Sequence, residues 1–378
     1  MIEYTKENPL RCFYAFAGYN SQKMALKRLA EHFPEFHHVC VGWSEIDANA
    51  IKANNAVFPE DADKNFGDIT KIDWEQVPDF DLFTYSFPCQ SISSSGKQEG
   101  LEEGSGTRSS LLWECKKAIE FKKPRFLMME NVKAFVQAKF IPYLRKWQTW
   151  LYHQGYENFT QVLNASDYGV PQNRERVFMI SILRTDSEPN PSFYFPKKMK
   201  LEKRIKDILE PNVDESFYLS DKALEYFCRV KNSWLNGIMS DKIERIFNIY
   251  TGKILGGCYA GNVYGIYGIA PTINCMGGGN RMPLILIENE KRKNYRIRKL
   301  TPTECFRLQD VIDEDIEKMK QAGIAKINLY KLAGNSIVVS CMYHIFRKLF
   351  IEKECENEQL SLFLNINNKP KTKNYEQV

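Results

Sequence analysis

The sequence contains a series of short apolar runs that each end abruptly in a glycine, a cysteine or an acidic residue. These runs begin near residues 11, 38, 81 and 125, and segments with helical spacing separate them. Short apolar runs are typical of buried strands, and strands that alternate with helices predict a parallel sheet covered on both faces. Ligands of such sheets bind beyond the carboxyl ends of the strands. The sequence therefore predicts an α/β protein with a doubly wound sheet.

The first two runs are typical of a nucleotide-binding half of such a sheet. Residues 11–18 predict a strand that leads into a glycine turn, and Ser21 is the predicted cap of the helix that follows. The next strand ends at Glu45, which is well placed for ribose hydroxyls, and Asp68 is well placed for an adenine amino group. The alternative is that these acids are solvated loop residues.

A single glycine, Gly18, stands where a pyrophosphate-binding turn has three. This favours a nucleoside cofactor without phosphates and argues against a dinucleotide.

The other two runs end at Cys89 and at Glu130. Cys89 follows Pro88 and precedes a polar loop, so we interpret it as a nucleophile, with Arg174 and Arg176 available to lower the pKa of its thiol. A Glu at the end of an apolar strand has a raised pKa, and in its protonated form it can donate to a ring nitrogen during addition to a pyrimidine. The alternatives are a buried core cysteine and a Cys-His hydrolase with a distant histidine.

The rest of the chain divides at a linker over residues 187–191. Before it, residues 156–163 and 176–183 predict two paired strands; after it, glycines and tyrosines over residues 250–279 suit contact with a nucleic-acid groove. Thr301 is the predicted cap of a helix with Pro302 at its first position and Glu304 three residues on. We predict a catalytic and cofactor-binding domain over 1–189 plus 305–378 and a smaller, irregular target-recognition domain over 190–304.

Composition constrains the function only weakly. The net charge of +5 permits a polyanionic partner without requiring one. The amino terminus lacks the apolar segment of a signal peptide, and no run approaches the roughly 20 residues that span a bilayer. The ten cysteines contain no CxxC pair, so we predict no metal site, no disulfides and a cytoplasmic protein. Cys12, Cys40, Cys258 and Cys341 are expected to be small buried hydrophobes.

At this point several motifs, taken together and in order, resemble the C5-cytosine DNA methyltransferase family across nearly the whole chain. The resembling segments are Phe16-Ala17-Gly18, Glu45, Asp68, Phe87-Pro88-Cys89-Gln90 with Ser93 and Gly96, Glu130-Asn131-Val132, Gln172-Asn173-Arg174-Glu175-Arg176, Arg298 to Gln309, and Gly334-Asn335-Ser336. The chain departs from the family pattern in two places. Ala17-Gly18-Tyr19-Asn20-Ser21 replaces an FxGxGG turn, and Phe87 stands where the family often has proline or glycine.

The resemblance implies a Rossmann-like methyltransferase fold, S-adenosyl-L-methionine as cofactor and a flipped-out cytosine in double-stranded DNA as substrate. It implies that Cys89 adds to carbon 6, that Glu130 stabilises the adduct at ring nitrogen 3, and that Arg174 and Arg176 complete the catalytic set. The implied cofactor-binding residues are Phe16, Ala17, Gly18, Glu45, Ile46, Asp68, Ile69, Pro88, Leu111, Asn335 and Ser336. The implied substrate-binding residues are Gln90, Ser93, Asn131 and Gln172.

Three other interpretations remain open. One is an RNA-directed enzyme of the same fold, which the long recognition region disfavours. Another is a DNA-binding protein with an inactive methylase core, against which the intact catalytic residues argue. The third, a nicotinamide oxidoreductase, is disfavoured because the phosphate loop is missing. We expect a monomeric bacterial or phage modification enzyme without an obligate protein partner, serving in a restriction–modification system. The target sequence cannot be read from these residues.

Overall fold

The structure is a computed structural model that describes residues 3–88, 92, 102, 108–224, 239–251, 260–275, 281–289 and 294–352. Its helices are α1 (Ser21–His32), α2 (Ala48–Val57), α3 (Cys115–Lys122), α4 (Ile141–His153), α5 (Pro302–Arg307), α6 (Asp313–Gln321), α7 (Lys326–Asn335) and α8 (Val339–Phe350). Its strands are β1 (Leu10–Ala15), β2 (His38–Ser44), β3 (Leu82–Tyr85), β4 (Phe126–Val132), β5 (Tyr156–Asn164), β6 (Gln172–Asn173), β7 (Glu175–Leu183), β8 (Arg245–Asn248), β9 (Asn262–Tyr264), β10 (Ala270–Pro271), β11 (Leu284–Asn289) and β12 (Asn294–Lys299).

The main sheet has six strands in the order β2-β1-β3-β4-β7-β5. Strands β1 to β4 are parallel to one another, whereas β7 runs antiparallel to both of its neighbours. The predicted pairing of the strands near 156–163 and 176–183 is confirmed as the pair β5–β7. The carboxyl ends of β1 to β4 therefore lie along one edge, together with the amino end of β7.

Side chains of the strands alternate between two apolar layers. In β1, Cys12 and Tyr14 belong to the layer that contains α1 and α8, and Phe13 and Ala15 belong to the layer that contains α3 and α4. Alternation is what the pleat of a strand requires, and covering both faces with helices explains why the strands read as continuous apolar runs. The α/β doubly wound class predicted from the sequence is confirmed.

Of the two helix caps predicted from the sequence, one is wrong and one is confirmed. Asn20, not Ser21, caps α1: it has a left-handed backbone, with φ of 65°, and its side chain accepts from Lys23 N. Asn tolerates this conformation better than serine does. At α5 the prediction is confirmed, because Thr301 and Glu304 form a reciprocal capping box and Pro302 is the first residue of the helix.

The region after the linker has a four-stranded sheet in the order β12-β11-β9-β8, with a small core of its own. This region also contacts the part of the chain that forms the main sheet. Strand β10 pairs with β6, and buried side chains from residues 193–208 and 270–285 belong to the core that contains α1 and α8. The predicted boundary between residues 304 and 305 falls inside α5. The two-domain division stays a prediction.

Four cysteines are predicted to be small buried hydrophobes. Cys12, Cys40 and Cys341 are buried as expected; Cys258 lies outside the described residues. No helix in the described part of the chain is long and apolar enough to cross a membrane. Among the same residues, no group of His, Cys, Asp and Glu side chains is arranged to hold a metal ion.

Candidate active site

The turn after β1 is built from alternating left-handed residues. Phe16, Gly18 and Asn20 have φ values of 54°, 60° and 65°. Asn and Gly adopt this conformation readily, but for Phe it is strained, and such strain is often found at ligand sites. The chain thus forms a sharp turn with one glycine. Among the described residues other than Gly18 and its two chain neighbours, no atom lies within 4 Å of the point where a Cβ on Gly18 would sit.

Glu45 is bound tightly to this turn. One of its carboxylate oxygens accepts from Gly18 N at 2.9 Å, and the other accepts from Ile46 N and Asp47 N, each at 2.8 Å. Asn65 joins the same loop to the next turn, because its side chain bonds both backbone groups of Glu45 and the amide of Gly67. Glu45 therefore lies beside the glycine turn, as the sequence predicted.

The neighbouring residues supply an apolar surface and a second acid. The Ile46 side chain is 71% exposed, which is unusual for isoleucine. Asp68 begins a short 3-10 turn and accepts from the backbone and hydroxyl of Thr70 at 3.0 and 2.9 Å. Ile69 is buried, and its turn contacts the turn at Arg108–Glu114 that carries the half-buried Leu111. The predicted cofactor residues from these loops thus lie along one edge of the sheet.

Asp47, the other acid after β2, has a structural role. It caps α2 by accepting from Asn49 N and Ala50 N, and its other oxygen pairs with Lys331 Nζ at 2.6 Å.

Cys89 lies outside the described residues, as do Gln90 and Ser93, but the two residues before Cys89 are well placed. The carbonyl of Phe87 accepts from Asn131 Nδ2 at 3.0 Å, and the carbonyl of Pro88 accepts from Ser109 Oγ at 2.7 Å. The Asn131 oxygen accepts from Val132 N at 2.8 Å. Asn131 therefore connects the ends of β3 and β4.

Glu130 is buried and lies against one cation. Its carboxylate is 3.2 Å from Arg176 Nε. The contact follows from the sheet register, since Val132 is opposite Arg176 and Glu130 is the diagonal neighbour on the same face. Burial raises the pKa of Glu130, although Arg176 and Arg174 partly oppose the shift. Glu130 therefore holds a proton to higher pH than an exposed Glu does.

Arg174 is buried and joins three distant segments. It donates to the carbonyl of Ile273 at 2.9 Å and to the carbonyls of Gly334 and Ser336 at 3.0 and 2.6 Å. These bonds connect the β6–β7 link to the segment after β10 and to the end of α7. We interpret Arg174 as a positioning residue for Glu130 and Arg176.

Gln172 is fully buried. Its side-chain nitrogen donates to the carbonyl of Leu308 at 2.6 Å, and its oxygen accepts from Ile273 N at 3.0 Å. Both ends of the Gln172 amide are therefore bonded to backbone groups in the interior. We propose a positioning role for it in place of the substrate contact implied by the resemblance.

The segment after α7 completes this edge. Asn335 is exposed, Ser336 is half-buried, and the buried Tyr19 hydroxyl lies beside the Ser336 side chain. The glycine turn and the returning segment are therefore neighbours.

Gly334 is required because another backbone passes directly against it. A Cβ on Gly334 would lie 2.0 Å from the carbonyl oxygen of Asn274 and 2.3 Å from its carbonyl carbon. Since backbone cannot move aside as a flexible side chain can, we expect Gly334→Ala to destabilise the protein by about 2–4 kcal/mol. The midpoint of urea unfolding measures the change. Asn335→Ala, one residue further on and exposed, is the control, and an unchanged midpoint in Gly334→Ala would contradict the expectation.

Sequence reasoning missed Asn65, Ser109 and Tyr19. An Asn two residues before a glycine is a local signal for the turn around Asn65. Nothing local predicts that Ser109 or Tyr19 contacts a segment distant in sequence.

Comparison with known proteins now identifies the family. The model of the C-5 cytosine-specific DNA methylase family matches residues 10–351. The chain is 35% identical to the type II methyltransferase M2.ScrFI of Lactococcus lactis subsp. cremoris, with 90% of this chain and 99% of that protein covered. It is 30% identical to the type II methyltransferase M.HhaI of Haemophilus parahaemolyticus, with 89% and 93% covered.

Solved structures agree on the fold. The Entamoeba histolytica methyltransferase EhMeth matches with a TM-score of 0.65 at 15% identity, over 90% of this chain and 98% of that one. A prophage-encoded DNA modification methyltransferase from E. coli, described as putative, matches with a TM-score of 0.61 at 18% identity, over 90% and 98%. The protein therefore belongs to the C-5 cytosine-specific DNA methylase family and methylates carbon 5 of cytosine in DNA with S-adenosyl-L-methionine as the methyl donor.

Proposed function

We propose that this methylation proceeds through a covalent bond between Cys89 Sγ and carbon 6 of the cytosine, with Glu130 as the acid. Its main support is the environment of Glu130: a buried carboxyl with a raised pKa, held by Arg176 one strand away from Pro88. A carboxyl that keeps its proton is the group needed at ring nitrogen 3.

The reaction begins with addition to the cytosine ring and ends with release of the enzyme. The Cys89 thiolate adds to carbon 6, the electron pair of the 5,6 double bond moves toward nitrogen 3, and Glu130 donates its proton there. Carbon 5 is now an enamine carbon and would take the methyl group from the sulfonium sulfur of the donor. The bond between the methyl carbon and sulfur breaks, and its electron pair stays on sulfur as a neutral thioether. A base then removes the proton from carbon 5, the 5,6 double bond re-forms, Glu130 recovers its proton, and Cys89 leaves as thiolate. Arg176 orients the target cytosine. This cytosine leaves the duplex stack at a cost of about a few kcal/mol.

The residues at the ends of β1 and β2 fit the adenosyl group of S-adenosyl-L-methionine. Glu45 carries a carboxylate for the ribose hydroxyls, Asp68 carries one for the adenine amino group, and the 71% exposed Ile46 offers an apolar face for the ring. In the part of the chain that the structure describes, no side chain fills the space beside Gly18. The remaining cofactor residues would be Phe16, Ala17, Ile69, Pro88, Leu111, Asn335 and Ser336. When bound, this group supplies an activated methyl on sulfur.

We further propose that residues 190–304 read the bases around the target cytosine. Within this region Tyr250 is half-exposed and Tyr264 is buried, so only some of the tyrosines predicted to face DNA are available for contact. Gln90 and Ser93 would contact the flipped base, and Asn131 would hold the loop that carries them.

The enzyme would act as a monomer in the cytoplasm of a bacterium or of a phage-infected cell. Relatives named as type II methyltransferases support a role in restriction–modification. The name of the phage SPR relative, an orphan methyltransferase that is 31% identical over 92% of this chain, supports modification without a companion nuclease.

The test uses duplex DNA that contains 5-fluorocytosine. Here fluorine replaces the proton that is normally removed from carbon 5, and because no base can remove the fluorine, the adduct persists. We expect wild-type enzyme with S-adenosyl-L-methionine to form a denaturant-resistant complex, and peptide mapping to place the bond on Cys89. Mapping the modified cytosines then identifies the target sequence. A bond on another residue, or no complex on DNA that the enzyme does methylate, would contradict the proposal.

A further inference from the structure

The residues just before Cys89 are held by side chains from two different elements. Asn131 Nδ2, next to Glu130, donates to the carbonyl of Phe87 at 3.0 Å; Ser109 Oγ donates to the carbonyl of Pro88 at 2.7 Å. Strand β3 ends at Tyr85. These two carbonyls therefore lie beyond the strand, and side chains supply hydrogen bonds to them.

The Ser109 bond has a particular geometric consequence. A peptide unit is planar from one Cα to the next, and consecutive Cα atoms across a trans peptide are about 3.8 Å apart. The carbonyl of Pro88 and the Cα of Cys89 belong to the same plane. Because the proline ring already restricts φ at Pro88, a bond that fixes this carbonyl also restricts ψ of Pro88, the remaining backbone rotation before the chain continues to residue 89.

Ser109 itself is firmly supported. Its side chain is buried, and it lies in the Arg108–Glu114 turn, whose Leu112 and Trp113 are also buried. Trp113 packs edge-on against Trp147 of α4, with ring centroids 5.7 Å apart. The hydroxyl is thus carried by a packed part of the core.

We propose that Ser109 is a positioning residue for the nucleophile. Resting on the proposed role of Cys89, this assigns Ser109 the task of orienting the Pro88–Cys89 peptide, while Asn131 sets the distance between that peptide and Glu130. Ser109 does not contact the reacting atoms. Loss of its hydroxyl should leave a thiol of normal reactivity in a less favourable direction.

The experiment compares Ser109→Ala with wild type and with Ser110→Ala, a matched change at the next residue. The rate of adduct formation on 5-fluorocytosine duplex DNA should fall about 10- to 100-fold in Ser109→Ala, since small misplacement of a reacting group has effects of this size. The Kd for DNA and the rate of Cys89 alkylation by iodoacetamide should stay within about twofold, because neither depends on a fixed direction of the thiol. Ser109→Thr, which keeps the hydroxyl, should recover most of the rate.

The outcomes separate the two proposals. If wild-type enzyme forms no adduct on Cys89, the proposed function fails. If it does and Ser109→Ala matches it, only the role of Ser109 fails. Three other results would also overturn the inference. The adduct rate could fall by the same factor as DNA affinity, it could fall equally in Ser110→Ala, or it could fall while alkylation becomes faster. Each would indicate a general structural change and not a loss of orientation.

Discussion

Glu130→Gln is expected to lower kcat for DNA methylation by about 10²- to 10⁴-fold, the usual contribution of a positioned general acid. Glutamine has nearly the same shape and keeps a hydrogen-bond donor, but it cannot transfer a proton to ring nitrogen 3. The buried side chain loses a carboxylate that lies 3.2 Å from Arg176. Because Arg176 also donates to the carbonyl of Glu175 at 2.8 Å, the arginine keeps one partner and the site should stay folded.

The pH dependence of kcat gives a second test of the same variant. Burial raises the pKa of Glu130, so the protonated form persists to higher pH than in an exposed Glu and is lost as the pH rises through this raised pKa. A rise in pH also converts a thiol such as that of Cys89 into the thiolate that the reaction needs. Wild-type enzyme should therefore show a bell-shaped profile, with Glu130 on the falling limb. In Glu130→Gln only the rising limb should remain.

Two measurements serve as controls for Glu130→Gln. Binding of duplex DNA should change little in Glu130→Gln, and Cys89→Ala, which should form no adduct, gives the baseline for the chemical step. A falling limb that persists unchanged in Glu130→Gln would show that another group carries the proton.

Arg298→Met is expected to destabilise the protein by about 3–5 kcal/mol, the range found when a buried ion pair loses one partner. Arg298 and Glu304 are almost completely buried and form two hydrogen bonds of 2.7 and 2.6 Å. Glu304 also accepts from Thr301 N at 2.8 Å and from Glu210 N at 2.9 Å. Without the guanidinium, its charge would remain in the interior at the start of α5.

The midpoint of urea unfolding measures this effect. Arg296→Met is the matched control two residues earlier on β12, because Arg296 also makes a two-bond contact, to Glu215, but Glu215 is 76% exposed. Exposed pairs contribute about 0–1 kcal/mol. Adding Glu304→Gln to Arg298→Met should recover part of the loss, since it removes the unpaired charge. Equal effects of Arg298→Met and Arg296→Met would contradict the prediction.

The candidate site divides into residues that local patterns predict and residues that they do not. Glu45 and Glu130 were found because each ends an apolar run, and the edge of a parallel sheet collects such ends. Asn20 was missed as a cap because Asn and Ser are about equally favoured at this position and stand next to each other in the sequence. The tight turn after β1, which puts a left-handed residue at Asn20, decides between them. The substrate role of Gln172 came from the resemblance alone, and burial of its amide points to positioning.

The alternation of strands and helices, the strand-end acids and the capping box at Thr301 were readable from the sequence, because periodicity and caps depend on residues within a few positions of each other. Which distant groups meet was decided only by the tertiary structure. The pairing of β4 with β7 sets Arg176 beside Glu130, the return of the chain after β10 brings Ile273 to Arg174 and Asn274 against Gly334, and the packing of the turn at 108–114 brings Ser109 to Pro88. These contacts depend on strand register and on the path of the chain between elements, and no local pattern of residues encodes either.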